Sequence, residues 1–272
     1  MRYAVIGGDM RFAHLASMLN EAGRPATGFL QERANDESAP LSELKKHSII
    51  ITNWPMRWPL SGQQVSEEEI MDQIEPGSVL LLCGPKFQKD KRWDLQYVNL
   101  WEDEKLLREN AWLTAEAVAA SAMRRTGRSL MHMECAVIGY GRIGRALTEI
   151  LKNLGARVTV ISRTEAKRRL AEESGAQSAD MIEIGETLPG KQLIFSTPPS
   201  AVIDVDLLRK IDKNALIMDL ASPPYGFDLD AAQDLGLNAC REPGLPGRYC
   251  PLSAARVIYH AVLRWEEAER DG

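Results

Sequence analysis

The chain has 272 residues, 44% of them hydrophobic and 26% charged, with a formal net charge of −5. That length suits one large or two modest domains with packed cores, and the acidic balance excludes the basic footprint of a nucleic-acid binder. No apolar run approaches the roughly 18 residues of a transmembrane helix, and the opening MRYAVIGG is strand-like and unlike a signal peptide, so a soluble cytoplasmic protein without membrane contact is expected.

From the amino terminus, residues 3–6 form an apolar strand ending in Gly7-Gly8-Asp9. A helix follows over 10–22, with Phe12, Leu15, Ala16, Met18 and Leu19 on helical spacing and Gly23 past its end. Further strands are expected at 26–30, 48–52 and 79–83, with an amphipathic helix at 66–74 and a turn at Pro76-Gly77. This alternation predicts a first α/β domain with a mostly parallel sheet. Residues 103–108 read as helical, and Thr114 reads as the N-cap of a separate helix over 115–126, with Glu116 in its first turn and Gly127 past its end. Strands near 135–139, 157–161, 192–197, 214–219 and 237–240 make a second α/β domain. The last helix, 253–268, carries Val257, Ile258, Ala261, Val262 and Trp265 on one stripe. It is expected to return to the first domain, with a dimer contact as the alternative. The expected division is 1–112 as a substrate and partner domain, 113–130 as a bridging helix, 131–248 as the dinucleotide domain and 249–272 as the returning helix.

The second domain opens on the most informative segment. A β-rich run enters Gly139-Tyr140-Gly141-Arg142-Ile143-Gly144, followed by a helical stretch and a second β-branched run, 157–161. Strand, glycine loop, helix, strand is the order of a dinucleotide fold, so the fold class is two-domain α/β, a flavodoxin-like or Rossmann-like domain followed by an NAD(P)-binding Rossmann domain. Gly139 permits the tight turn, Gly141 lets a pyrophosphate approach the helix N-terminus, and Gly144 lets helix and strand pack closely. An NAD site usually places an acid at the tip of the second strand. Here the tip reads Ser162-Arg163-Thr164, with Lys167 and Arg168 beyond it. A cationic, hydroxyl-rich tip suits a 2′-phosphate, which points to NADP, and a merely solvated turn is the alternative. The tip also resembles the N-R-T-x-x-K/R segment of shikimate dehydrogenases.

Other candidates follow strand ends, where two-domain dehydrogenases bind substrate. They are Gly8, Asp9 and Arg11; the segment 53–59, with Arg57; Ser196-Thr197-Pro198, expected along the nicotinamide ribose; and Ser222 after the fifth Rossmann strand. Asp9 is either a helix cap or an active-site acid. Asn110, ahead of Thr114, either faces the cleft or bonds within a loop. Gly244-Leu245-Pro246-Gly247-Arg248 is either a ligand-approaching loop or a plain connector. The cysteines, Cys83, Cys135, Cys240 and Cys250, form no CxxC pair, and the first three read as buried thiols.

Several segments together resemble the A subunits of dipicolinate synthases: GGDMR at 7–11, ENAWLTAE at 109–116, VIGYGRIG at 137–144, LGARVTV at 154–160, MDLAS at 218–222 and GLPG at 244–247. The resemblance covers nearly the whole chain in order. It implies an NADP-dependent enzyme of spore formers, working in the mother cell with a flavoprotein-like B subunit. That enzyme makes pyridine-2,6-dicarboxylate from the 4-hydroxy-tetrahydrodipicolinate branch of lysine synthesis. The chain departs from the family at Pro223-Pro224-Tyr225-Gly226, where a Pro-Gly-Gly turn is usual, at Ala117, and at 248–253. A dicarboxylate substrate suits bidentate arginines, so Arg11, Arg57, Arg142 and Arg248 are the candidate clamps, with Asp9 as base and Gly8, Asn110, Thr114, Ser222, Gly244 and Gly247 lining the site. A homo-oligomer is also expected. The alternatives are a non-catalytic NADP-binding scaffold or sensor, and a 2-hydroxy-acid dehydrogenase. The latter class needs a histidine–acid pair, and His14, His47, His132 and His260 occupy no strand-end loop.

Overall fold

The computed structural model describes residues 1–31, 39–56, 65–84 and 93–271. It divides into two compact units, Met1–Asn110 with Pro246–Gly272, and Ala111–Leu245.

In the first unit the strands are β1 (Tyr3–Ile6), β2 (Ala26–Phe29), β3 (Ile49–Asn53), β4 (Val79–Cys83) and β5 (Gln96–Asn99). They form one parallel sheet in the order β2-β1-β3-β4-β5, a flavodoxin-like order. The runs YAVI, IIITN and VLLLC are almost wholly buried, as strands covered on both faces must be. Helix α1 (Met10–Glu21) buries Phe12, Ala13, Leu15, Ala16 and Leu19 against the sheet. Short α2 (Glu67–Met71) starts at a capping box, in which Ser66 and Glu69 each bond the other's backbone N–H.

Helix α3 runs unbroken from Glu104 to Thr126. Thr114 therefore caps nothing: it lies in mid-helix and is buried. The cap is Asp103, whose carboxylate accepts the N–H groups of Lys105 (2.8 Å) and Leu106 (3.0 Å). No glycine or proline interrupts 104–126, and the alanine, leucine and glutamate of this stretch favour continuation.

The second unit holds β6 (Glu134–Ile138), α4 (Arg142–Asn153), β7 (Arg157–Ile161), α5 (Glu165–Glu173), β8 (Gln177–Ala179), α6 (Ile184–Thr187), β9 (Leu193–Ser196), α7 (Val205–Leu208), β10 (Leu216–Asp219), α8 (Leu229–Asp234) and β11 (Asn238–Arg241). The parallel sheet runs β11-β10-β9-β6-β7-β8. Counted from β6, this is the 3-2-1-4-5-6 order of a doubly wound dinucleotide fold, and it reverses between β6 and β9.

Helix α9 (Leu245–Tyr249) leads into α10 (Pro251–Asp271), which packs on α1 in the first unit, as the apolar stripe predicts. Ala255, Ile258, Ala261 and Val262 join the core of Tyr3, Val5, Phe12, Leu15 and Leu19. A polar tie fastens the far end of this helix. Glu266 accepts the Tyr3 hydroxyl and a forked bond from Arg24 (2.9–3.1 Å). Nearer the middle, Arg264 binds the capping carboxylate of Asp103 through Nε at 2.7 Å.

Candidate functional site

The glycine loop of the second unit is built for close backbone approach. Gly139 has φ +88°, which a side chain would strain, and its N–H donates to the Ile161 carbonyl (2.9 Å). A Cβ on Gly144 would overlap the Gly139 carbonyl oxygen, so only glycine lets α4 sit this near the loop. Gly141 is the N-cap of α4 and offers no side-chain bond to the helix, and nothing lies within 4 Å of where its Cβ would point. The amides of the first turn are thus left to an anion, with the helix dipole behind them and open space in front. Arg142 is exposed and Ile143 half-buried at the helix start.

Thr197 and Pro198 close against this loop. The N–H and hydroxyl of Thr197 both donate to the Ile138 carbonyl (3.1 and 2.9 Å). A Cβ on Gly139 would lie 2.5 Å from the Thr197 hydroxyl and 3.1 Å from Pro198. Gly139, Gly144, Thr197 and Pro198 are therefore one cluster on the switch edge of the sheet. Ser196 is not part of its surface. Its hydroxyl is wholly buried beneath Gly226, so a direct cofactor bond from that side chain is a reading the structure corrects.

At the tip of β7, Ser162 is buried, and Arg163, Thr164 and Lys167 are exposed. Arg168 fastens the tip from beneath: it donates to the Ser162 carbonyl (2.8 Å) and pairs with Asp180 at 2.5 Å. Arg163 and Lys167 have no partner among the described residues, and Thr164 begins α5 with no side-chain cap bond. Two cations and a helix start thus face solvent together, a donor set that fits a phosphate monoester. Tyr140, between the glycines, turns away and donates weakly to the Leu170 carbonyl (3.4 Å).

Sequence reasoning passed over a constellation at the neighbouring strand ends. Asp219, at the end of β10, is 1% exposed and accepts the N–H groups of Ala221 (3.2 Å) and Gly226 (3.0 Å). Burial pushes its carboxyl above the ordinary range, against the pull of those two bonds and of Arg241. Arg241 ends β11, with Nε 3.7 Å from Asp219. An acid and an arginine each closing a strand were the available signals.

In the first unit Gly8, Asp9, Arg11 and Gly247 come together. Gly8 has φ +78° and the Phe12 ring occupies the space a side chain would need. Asp9 caps α1 by accepting the Arg11 N–H (3.1 Å). The Arg11 guanidinium returns to the same carboxylate through Nε (2.8 Å) and Nη2 (2.9 Å). Arg11 is thus not the unengaged clamp its sequence position suggests. One edge of its fork is occupied, and the remaining donors are those of Nη1 and the far side of Nη2. A Cβ on Gly247 would collide with the Asp9 carboxylate, so α9 touches this pair through a glycine. Arg248 is exposed on α9, 5.9 Å from the Tyr249 ring. Asn110 is half-buried within α3, and Ser222 and Gly244 are exposed in the second unit. Arg57, like 58 and 59, lies outside the described residues.

The thiols of Cys83 and Cys135 are pushed up to about 12 by burial, opposed by Arg11 and Lys191 respectively, and serve packing, not attack. His47 is buried between the Glu43 carbonyl and the Thr27 hydroxyl (3.0 Å each). His132 precedes β6, and His14 and His260 lie on α1 and α10, so none stands at the carboxyl end of a strand.

Comparison with known proteins agrees with this reading of the fold. The family model of the D-isomer specific 2-hydroxyacid dehydrogenase NAD-binding domain matches residues 98–221. The chain is 30% identical, over 97% of its length and 95% of the relative's, to the dipicolinate synthase A subunit of Bacillus subtilis. Among solved structures, the dipicolinate synthase A subunit from Bacillus halodurans superposes with TM-score 0.82 at 21% identity, covering 97% of each chain. Its Bacillus subtilis counterpart superposes with TM-score 0.81 at 23% identity, covering 99% of this chain and 97% of the other. D-lactate dehydrogenase from Salmonella shares the fold more distantly, with TM-score 0.64 at 13% identity over 99% of this chain and 97% of that one.

Proposed function

We propose that this chain, which belongs to the family of dipicolinate synthase A subunits, forms pyridine-2,6-dicarboxylate in an NADP-dependent oxidation and acts with a B subunit. Its class, an oxidoreductase with a nicotinamide-binding domain, follows from the family and from the matched domain. The single observation that carries the choice of NADP is the β7 tip, where Arg163 and Lys167 stand exposed, without partners among the described residues, and no acid takes the ribose position.

In the proposed reaction 4-hydroxy-tetrahydrodipicolinate loses water, and the resulting dihydro ring loses a hydride and a proton. Aromaticity of the product drives both steps. Bound NADP+ would accept the hydride. The chain's own residues bind and orient. The amides following Gly141 hold the pyrophosphate, and Thr197 with Pro198 stiffens the edge beside it. Arg163 and Lys167 hold the 2′-phosphate. Arg11, aimed by Asp9, holds one substrate carboxylate through its remaining donors. In this reading Asp9 orients Arg11 and is not the base, because its two oxygens already accept three N–H bonds.

Purified chain, supplied with substrate and either NADP+ or NAD+, tests the proposal by formation of pyridine-2,6-dicarboxylate. Product with NADP+ in clear excess over NAD+ supports it. Equal use of both cofactors removes the NADP assignment, and no product with either, with or without a B subunit, removes the reaction.

A further inference from the structure

The loop that leaves β10, residues 220–227, is held at both ends by side chains. Asp219 takes the N–H groups of Ala221 and Gly226. Arg241, from the next strand, donates through Nη2 to the Phe227 carbonyl (2.9 Å), and its guanidinium lies 3.9 Å from the centre of the Tyr225 ring. Tyr225 holds φ +66°, a region that disfavours a non-glycine residue, so the stacked arginine fixes a conformation the backbone alone would not choose. The Gly226 carbonyl accepts the N–H groups of Val202 (2.9 Å) and Ile203 (3.1 Å). Gly226 itself presses on Ser196, the residue before Thr197. A run of direct contacts therefore joins this loop to the glycine loop, while Ser222, Pro223 and Pro224 are exposed at its tip.

We propose that Arg241 and Asp219 are positioning residues for the nicotinamide half of the bound dinucleotide, acting through the 220–227 loop. The inference rests on the cofactor reading above. In a doubly wound sheet each half binds one mononucleotide across the strand reversal. The pyrophosphate loop and the phosphate-binding tip belong to the β6–β8 half, so the β9–β11 half receives the nicotinamide mononucleotide. The exposed tip at 222–224 is the wall of that half, and Arg241 sets its shape without touching the ligand.

The test compares two ligands on the full-length chain: NADPH, and 2′-phospho-ADP-ribose, which lacks the nicotinamide. Arg241→Ala is expected to weaken NADPH about ten-fold, through a displaced wall and not a lost ligand bond, and to leave the fragment within about two-fold. Arg241→Lys keeps the charge but loses the planar stack and is expected to follow Arg241→Ala. Tyr225→Ala, which removes the stacked ring but keeps a Cβ at the positive φ, is expected to shift the same ratio in the same direction. Unchanged NADPH binding in both Arg241→Ala and Tyr225→Ala overturns the proposal, and so do equal losses for the two ligands, which mark a general disturbance of the unit. If Arg241→Ala does not fold, Tyr225→Ala decides alone. A parent chain that binds the fragment and NADPH equally overturns it as well. A parent chain that binds neither ligand overturns the cofactor reading and this inference together.

Discussion

Replacing Arg163 by alanine isolates the proposed 2′-phosphate contact. Arg163 is exposed at the β7 tip and has no partner among the described residues, so its removal leaves no buried group unsatisfied and disturbs no packing. Its whole effect should therefore appear in binding. A hydrogen bond to a charged group contributes about 1.5–3 kcal/mol, and an exposed ion pair about 0.2–1. Solvent at this tip argues for a value between these ranges, about 1–2 kcal/mol, or roughly five- to thirty-fold in NADPH affinity. Lys167→Ala, which removes a hydrated point charge, should lose less. Arg168→Ala is the contrasting variant. Arg168 bonds the Ser162 carbonyl and Asp180, so its loss should loosen the tip and lower thermal stability. The assay is a titration of NADPH and NADH by nicotinamide fluorescence. Arg163→Ala should weaken NADPH and leave NADH within about two-fold, since NADH offers a neutral hydroxyl where NADPH carries a charged phosphate. Equal losses for both cofactors, or none for NADPH, would refute the assignment of this tip.

Three further outcomes follow from the same contacts. Gly144→Ala sets a methyl group against the Gly139 carbonyl, and the backbone must shift; dinucleotide binding should fall by about ten-fold or more, read by the same titration. Asp103→Ala removes the α3 cap and the Arg264 pair, lowering stability by about 1–2 kcal/mol at neutral pH. Burial raises the Asp103 carboxyl, but the Leu106 and Lys105 N–H groups and Arg264 outweigh it and hold the net value low. The stabilisation from a depressed carboxyl is full above its unfolded value of about 3.9 and is lost as pH falls toward the lower folded value, so the difference between parent and variant should shrink as pH falls below about 4 in chemical denaturation. Glu266→Gln leaves Arg24 without its charged partner in the α10 tie, and a loss of about 1–3 kcal/mol is expected by the same method; an unchanged midpoint would assign the tie no net stabilisation.

Sequence reading located every central strand, where IIIT, VLLLC and AVI leave little choice but a covered parallel sheet, and two of the four edge strands, β2 and β11. The two it missed, β5 (QYVN) and β8 (QSA), are both edge strands. An edge needs few apolar residues, so no hydrophobic run announces them. The T-A-E segment at 114–116 imitates a helix start because a threonine followed by an acid is also what a cap looks like. The deciding fact, that nothing upstream breaks the helix, lies in the absence of glycine and proline across 104–113. The glycine loop was legible because each of its glycines answers a local backbone demand. The Asp9–Arg11 fork was not, since a two-residue spacing does not say that a guanidinium will fold back on its own cap. Arg241 lies on a separate strand from Asp219 and Tyr225 and meets them only when β10 and β11 pair.

Hydride transfer by this chain to NADP+ is tested with dihydrodipicolinate deuterated at its saturated ring carbons, incubated with the purified chain and NADP+, the cofactor then being examined by mass spectrometry. NADPH carrying one deuterium, formed in step with pyridine-2,6-dicarboxylate, is the expected result. Unlabelled NADPH, or product formed while NADP+ stays oxidised, would rule out the proposed transfer.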